Sequence, residues 1–445
     1  MTYDDEELPP SQRPKSTTAL GEHRVGVDSL IVTVTTAATD AFTKLAPALL
    51  HLDGAYHKDL LLMGDSMMDL GPFPVFDVLA KYPAKYVAKT DELERYKRQR
   101  EYAQKGIPLS NLREKDEAKE QAVQRAMAKY KVFRAMESTW EYRPKRSWYV
   151  FTDEETFIDR GNLLDWLSQY DPKLKHFFGN PPINDVPDAS AAGGTSFIVS
   201  GETMRLMFDD RKNMLKNFKN WDPRIPDYPS VIHFIESFFK TEFSLEMKSF
   251  WPGVSGFNPA TATYSPGLWC EPVLMMHHVS AGIGNQLFKF ESQRVEEHKI
   301  DNALRYADLW HRFIGSEDLN RTRNDWDNLS SESANNRWNI LFETDGEPDA
   351  SRAKRGEDSW ESCKESCETN KHCVQWSYSS IAAPNWNENG LTKCHLSSSM
   401  RLGAYAAPEE VEVNGETRAR TWTSGWRKDH FKRWANQQRC KIQQH

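Results

Sequence analysis

The sequence predicts an α/β domain followed by a small, disulfide-stapled α+β module, on three observations. Two apolar strand-like runs come early, "SLIVTVTTAATDAFTKLAPALLHL" and "KDLLLMGDS", and the first leads directly into helical spacing. Repeated strand-to-helix steps build open α/β sheets. A third run, "SWYVFTD", stops on carboxylates and precedes the amphipathic stretch "NLLDWLSQY". Finally, four cysteines crowd into residues 363 to 394, dense enough to staple a small module.

Taken in order, residues 1–24 are polar, lack the apolar core of a signal peptide and read as a flexible leader. The large domain spans 25–300. Its first strand is the β-rich run Leu30 to Val34, and Phe42, Leu45, Leu49 and Leu50 recur behind it at helical spacing. The second strand stops at Gly64-Asp65. Residues 91–131, rich in Lys, Arg, Glu and Gln, read as helices whose charges form a solvated face. After "SWYVFTD", Leu163, Leu164, Trp166 and Leu167 mark one face of a helix. "KHFFGNPP" and "AAGGTSFIVSGETMRLMF" give two more strands, the second entered through Gly193-Gly194 and left through a helix start at Ser200 to Glu202. A proline-punctuated loop leads to a helix from Ser230. Residues 301–345 read as a packed connector, 346–428 as the cysteine module and 429–445 as a tail.

Composition excludes several classes. With 39% hydrophobic residues and 15 Trp in 445 residues the chain is globular. Aromatics in that number pack cores and also line carbohydrate sites. A net charge of −7 opposes general nucleic-acid binding, and no run of about 18 apolar residues offers a membrane span. The spacing Cys363-x3-Cys367-x5-Cys373-x20-Cys394 lacks a CxxC knuckle, which favours disulfides over zinc and an oxidising compartment. Cys270 and Cys440 form a third bridge or stay free thiols. The sequons at Asn320 and Asn328 fit a secreted or lumenal protein.

The acidic triplet that ends the third strand is Asp153-Glu154-Glu155. On an extended segment Asp153 and Glu155 point to one side and could share a divalent cation, while Glu154 points away. Acidic turns are common, so the triplet alone specifies little. The ordered set is more specific: aromatic strand, acidic triplet, Thr156-Phe157, "NLLDWL", Gly193-Gly194 before a strand, "FWPGVSGFNPA", "LWCEPV", then "MMHHV".

That order resembles the fringe-like glycosyltransferases of family 31, in particular the fungal branch related to the core 1 β1,3-galactosyltransferases, over roughly residues 25–330. The resemblance implies a GT-A type nucleotide-sugar-binding sandwich with a mostly parallel sheet, a UDP-sugar donor, Mn²⁺, inversion at the sugar, and a glycan or glycoprotein acceptor. It implies Glu155 and His277 as metal ligands, with Asp153 beside the ribose or the metal. Thr35 and Thr36 would touch the nucleotide, Asp65 would lie at the same rim, and Gly193 and Gly194 would admit substrate close to the backbone. Glu at 155, where the family has Asp, is a departure. So is Pro229, which falls where the family carries the acid that serves as catalytic base. Asp227, two residues earlier, is the candidate base, with Asp222 and Glu236 as other candidates; otherwise the chain is a degenerate transferase that binds without turnover. Trp251 and Trp269 are candidate sugar platforms. The cysteine module "WESCKESCETNKHCVQWSYSS" with "KCHLSSSMRLG" resembles a PAN/apple domain, which implies the pairs Cys367–Cys373 and Cys363–Cys394 and a protein or glycan ligand. Family members are Golgi proteins of the secretory pathway, so an anchor is expected upstream of this chain.

Overall fold

The structure is a computed structural model that describes residues 29–50, 58–180, 195–265, 267–298, 303–331, 339–340, 356–382, 391–437 and 440. The expected leader and the Gly193-Gly194 pair lie outside the described residues. Contacts divide the chain into two units, one containing residues up to Gly256 and Leu274–Ala303, the other Phe257–Val273 and residues from Leu304 onward.

The first unit contains β1 (Leu30–Thr35), β2 (Leu60–Gly64), β3 (Met68–Leu70), β4 (Phe73–Asp77), β5 (Trp148–Asp153), β6 (Phe157–Ile158), β7 (Phe177–Gly179), β8 (Phe197–Ser200), β9 (Lys248–Ser249), β10 (Val254–Ser255) and β11 (Met275–Met276). Eight of these form one sheet in the order β3-β4-β2-β1-β5-β8-β7-β9. The run β4-β2-β1-β5 is parallel, whereas β3 and β8 join antiparallel. The architecture is therefore mixed α/β with a mostly parallel sheet, as expected.

Both faces of the central strands are buried, which explains their continuous apolar runs. Ile31, Leu61, Met63, Tyr149 and Phe151 share one core with Tyr130 and Phe133 of the helix Glu117–Tyr142. Leu30, Val32, Leu60, Leu62, Trp148 and Val150 enter the other core, as the two-residue period of a strand requires. Behind β1 the chain makes a π-turn, Ala41–Leu45, before the helix Ala46–Leu50. The wider turn buries Ala41, Leu45 and Leu49, and Phe42, expected on the buried face, is 66% exposed.

The charged run 91–131 departs from a purely solvated face. Arg95, Glu120, Lys129 and Lys131 are buried. Arg95 Nη2 lies 3.1 Å from Glu120 Oε2, and Lys129 Nζ lies 3.1 Å from Glu92 Oε1. The 26-residue helix starts at its Asp116 cap and buries one face in this unit. Charges on that face persist because each finds an ionic partner.

His176 lies against Trp148, Tyr170 and Phe178, with its ring stacked on that of Phe178. Burial lowers its pKa. A lowered imidazole keeps the folded state neutral while the unfolded chain binds a proton below pH ~6.5, so acid withdraws stability. Replacing His176 with Phe should flatten the fall of Tm between roughly pH 6.5 and pH 5, measured by thermal melts across pH.

The second unit contains β12 (Arg323–Asn324), β13 (Trp326–Asp327), β14 (Asn339–Ile340), β15 (Gln375–Ile381), β16 (Leu391–Ser397), β17 (Ala404–Tyr405), β18 (Glu409–Val413) and β19 (Glu416–Trp426). Its main sheet runs β12-β19-β15-β16-β14, with β18 paired to β19. The helix Trp360–Thr369 packs on this sheet through Cys363, Cys367 and Trp360. Disulfides join Cys363–Cys394, Cys367–Cys373 and Cys270–Cys440. The first two pairs match the resemblance, and the third settles the open cysteines as a bridge.

The unit boundaries differ from those expected in sequence. Residues 257–273 and 304–331 pack with the cysteine module rather than forming part of the large domain and a connector. The helix Lys428–Ala435, expected as tail, presents Phe431 to Trp269 and Trp310. Trp269 is buried there, a core residue rather than a sugar platform. Asn328 is also buried, its amide donating to Trp376 O at 3.0 Å. That sequon is structural, whereas Asn320 is exposed. Among the described residues no helix is long and apolar enough to cross a membrane.

Candidate functional site

Parallel pairing brings the ends of β1, β2 and β5 to one rim. Thr35 pairs with Asp153 on one side and with Met63 on the other. Because β8 runs antiparallel to β5, its first residues return to the same rim, with Phe197 opposite Phe151. Thr195 and Ser196 sit just before it: Thr152 and Ser196 exchange a hydroxyl hydrogen bond of 2.8 Å.

Asp153 is the hub of that rim. Its Oδ1 accepts from Glu155 N at 3.1 Å and Thr156 Oγ1 at 2.9 Å, a local turn that Asp side chains favour. Residues 154–155 are consequently a turn, not the extended segment that would point Asp153 and Glu155 the same way. Asp153 Oδ2 accepts from Thr195 Oγ1 at 2.9 Å and lies 2.5 Å from His277 Nε2. His277 follows β11, which pairs with β10 and β6, and its own amide donates to Ser255 O at 2.9 Å. The pairing of these short strands delivers an imidazole from 124 residues away. Its neighbour His278 is exposed and bonds Gly256 O through Nδ1 at 2.7 Å.

Charge states follow from these contacts. Burial opposes the charge on Asp153, but His277, Thr195 and Thr156 outweigh it and hold the carboxyl well below the usual range. Burial likewise opposes an imidazolium at His277, and Asp153 reverses that, raising it. Glu154 is pushed up to about 8 by burial and by Asp153.

The turn after β1 is held from beneath. Asp65, just past β2, is buried and accepts from Ala38 N at 2.7 Å. Lys131 donates to Thr36 O at 2.8 Å and lies 3.6 Å from Asp65 Oδ2. Thr35 Oγ1 donates to Thr152 O at 3.0 Å, and Thr36 is buried. Thr35, Thr36 and Asp65 therefore shape the rim as turn and strand-end residues. Sequence reasoning missed Lys131 and Lys44. Lys44 Nζ sits 3.3 Å from both Asp40 Oδ2 and Glu155 Oε2, and only the register of the π-turn places it there.

Of the candidate bases, Asp227 is exposed at the end of the 3₁₀ segment Asp222–Asp227. The carbonyl of the next residue, Tyr228, accepts from Lys129 Nζ at 3.1 Å. Asp222 is buried in an ion pair with Arg134, which makes it a packing residue, although burial pushes its carboxyl up to about 6. Glu236 is half-buried within the helix Val231–Phe243, capped by Ser230 as expected. Trp251 is half-buried between β9 and β10.

Among the described residues no group of three His, Cys, Asp or Glu side chains stands together as a metal cage. Asp153 Oδ2 and His277 Nε2 do converge, a carboxylate and imidazole pair that fits a divalent ion such as Mn²⁺. Glu155 could complete it only by leaving Lys44. Compared with family models and with curated proteins, the chain matches none.

Proposed function

We propose that the chain is a GT-A type glycosyltransferase of the fringe-like kind, moving a hexose or N-acetylhexosamine from a UDP-sugar to a hydroxyl of a glycan or glycoprotein with inversion. One observation carries the reading: the ends of three parallel strands meet Asp153, paired to a distant His277, at the rim where α/β sheets bind ligands. The turn Thr36 to Asp40 would receive the nucleotide. Asp153 and His277 would hold Mn²⁺, which neutralises charge on the leaving diphosphate when bound. Asp227, exposed and free to approach an acceptor, would take the proton from the attacking hydroxyl. The disulfide-bonded second unit, PAN/apple-like in its cysteine pairing, would recruit the acceptor. Its three bridges favour an oxidising lumen such as that of the secretory pathway.

Calorimetry tests the reading. UDP should bind in the presence of Mn²⁺, and His277→Ala should weaken it at least roughly ten-fold, the loss of one metal ligand or its support. Absence of UDP binding with and without Mn²⁺ would falsify the proposal. A second reading, a degenerate transferase that binds donor without turnover, is favoured by Pro229 and by the Lys44–Glu155 pair. UDP binding with neither transfer nor donor hydrolysis across a panel of UDP-sugars would select it.

A further inference from the structure

We propose that Lys44 couples divalent-ion binding to nucleotide binding, by holding Glu155 until a diphosphate takes its ammonium group. This rests on the donor-site reading above.

The geometry separates the two partners of Lys44. Asp40 is buried and has other donors, Arg113 Nη1 at 3.1 Å and Gln124 Nε2 at 2.9 Å. It stays satisfied if Lys44 departs. Glu155 is more open, its side chain 35% exposed, and its ion pair at this rim is with Lys44. A lysine on a flexible four-carbon stem can swing between anions, whereas Asp40 cannot move. The π-turn anchors the base of that stem, since Lys44 N donates to Asp40 O at 2.8 Å.

Charge makes the exchange one-sided. Each of Asp40, Asp65 and Glu155 already faces a cationic side chain: Arg113 and Lys44, Lys131, and Lys44 respectively. Among the described residues the resting rim offers a lone divalent cation little surplus negative charge beyond the Asp153–His277 pair. A diphosphate changes both conditions. Its oxygens give Lys44 a stronger, charge-assisted acceptor, and Glu155, released, joins Asp153 and His277. Ion and nucleotide then bind as a pair, and the coupling factor is the same in either order.

The test is Mn²⁺ titration into the wild-type chain, Lys44→Ala and Lys44→Arg, with and without UDP, following free Mn²⁺ by electron paramagnetic resonance. Without UDP, Lys44→Ala should bind Mn²⁺ about ten-fold more tightly than wild type, and the gain that UDP confers on Mn²⁺ affinity should shrink by a similar factor. Lys44→Arg should keep the wild-type coupling. Equal Mn²⁺ affinity of wild type and Lys44→Ala without UDP, while both still bind UDP with Mn²⁺, overturns the role of Lys44 and leaves the donor site standing. No UDP binding by any of the three proteins overturns both. Unchanged thermal melts would confirm that Lys44→Ala folds.

Discussion

Replacing Asp153 with Ala is expected to abolish UDP binding and to lower folding stability by about 3 kcal/mol, the low end of the cost of breaking a buried charged pair, because His277 is buried and Asp153 only partly so. The carboxylate holds together Glu155 N, Thr156 Oγ1, Thr195 Oγ1 and His277 Nε2, and each loses its partner at once. Asp153→Asn preserves shape and one carbonyl acceptor, so it should retain most of the fold but lose binding. Urea denaturation and UDP calorimetry on both variants separate the two effects.

The same pair dictates a pH signature. Asp153 is depressed in the folded state, so its contribution is present above the unfolded carboxylate value, roughly 4, and is lost as pH falls through the lower folded value. His277 is raised, so its contribution is full below roughly 6.5 and is lost as pH rises through the higher folded value. Their joint contribution should therefore peak between about pH 4 and 6.5. The stability difference between wild type and Asp153→Ala should narrow on either side of that window.

The second large effect concerns the disulfides. Cys270–Cys440 closes a sequence separation of 170 residues, against 6 for Cys367–Cys373. On a loop-entropy basis these contribute about 5 and about 2 kcal/mol, and the bridges nested inside the longer loop reduce the first figure. The double variant Cys270→Ser/Cys440→Ser should destabilise the second unit more than Cys367→Ser/Cys373→Ser. Denaturation followed by tryptophan fluorescence suits the comparison, since Trp269, Trp310 and Phe431 pack together beside Cys270. Equal losses in the two variants would refute the loop-length ranking.

The central strands were legible in the sequence because burial on both faces leaves unbroken apolar runs, and strand ends announce themselves by polar residues such as Asp65 and Asp153. Antiparallel β8 returning Thr195 to the rim could not be read, since strand direction leaves no mark in composition. The buried charges were misread for a similar reason. Lys131 and Glu120 look like surface residues until Asp65 and Arg95 are known to lie opposite them. Asp153 and His277 were named through a resemblance, and the structure places them in contact. The expected geometry of Glu155 failed because the carboxylate two residues earlier, Asp153, caps the local backbone, turning the triplet instead of extending it. Lys44 went unnoticed because a π-turn, not a regular helix, sets its position.

The split make-up of the second unit bears on how the chain is made. Its early segment, Phe257–Val273, leaves the ribosome long before Gln375–Ile381 and Glu416–Trp426, the strands at the centre of its sheet. Cys270 must wait for Cys440, which follows it by 170 residues. The first unit meets a similar delay, because His277 emerges well after the strands that carry Asp153 and Thr35. The second unit therefore cannot be completed as an independent cassette, and a fragment beginning at residue 346 would emerge with Cys440 unpaired and Met400 lacking its Tyr264 bridge. The second unit thus passes no folding checkpoint until Cys440 is available to close on Cys270.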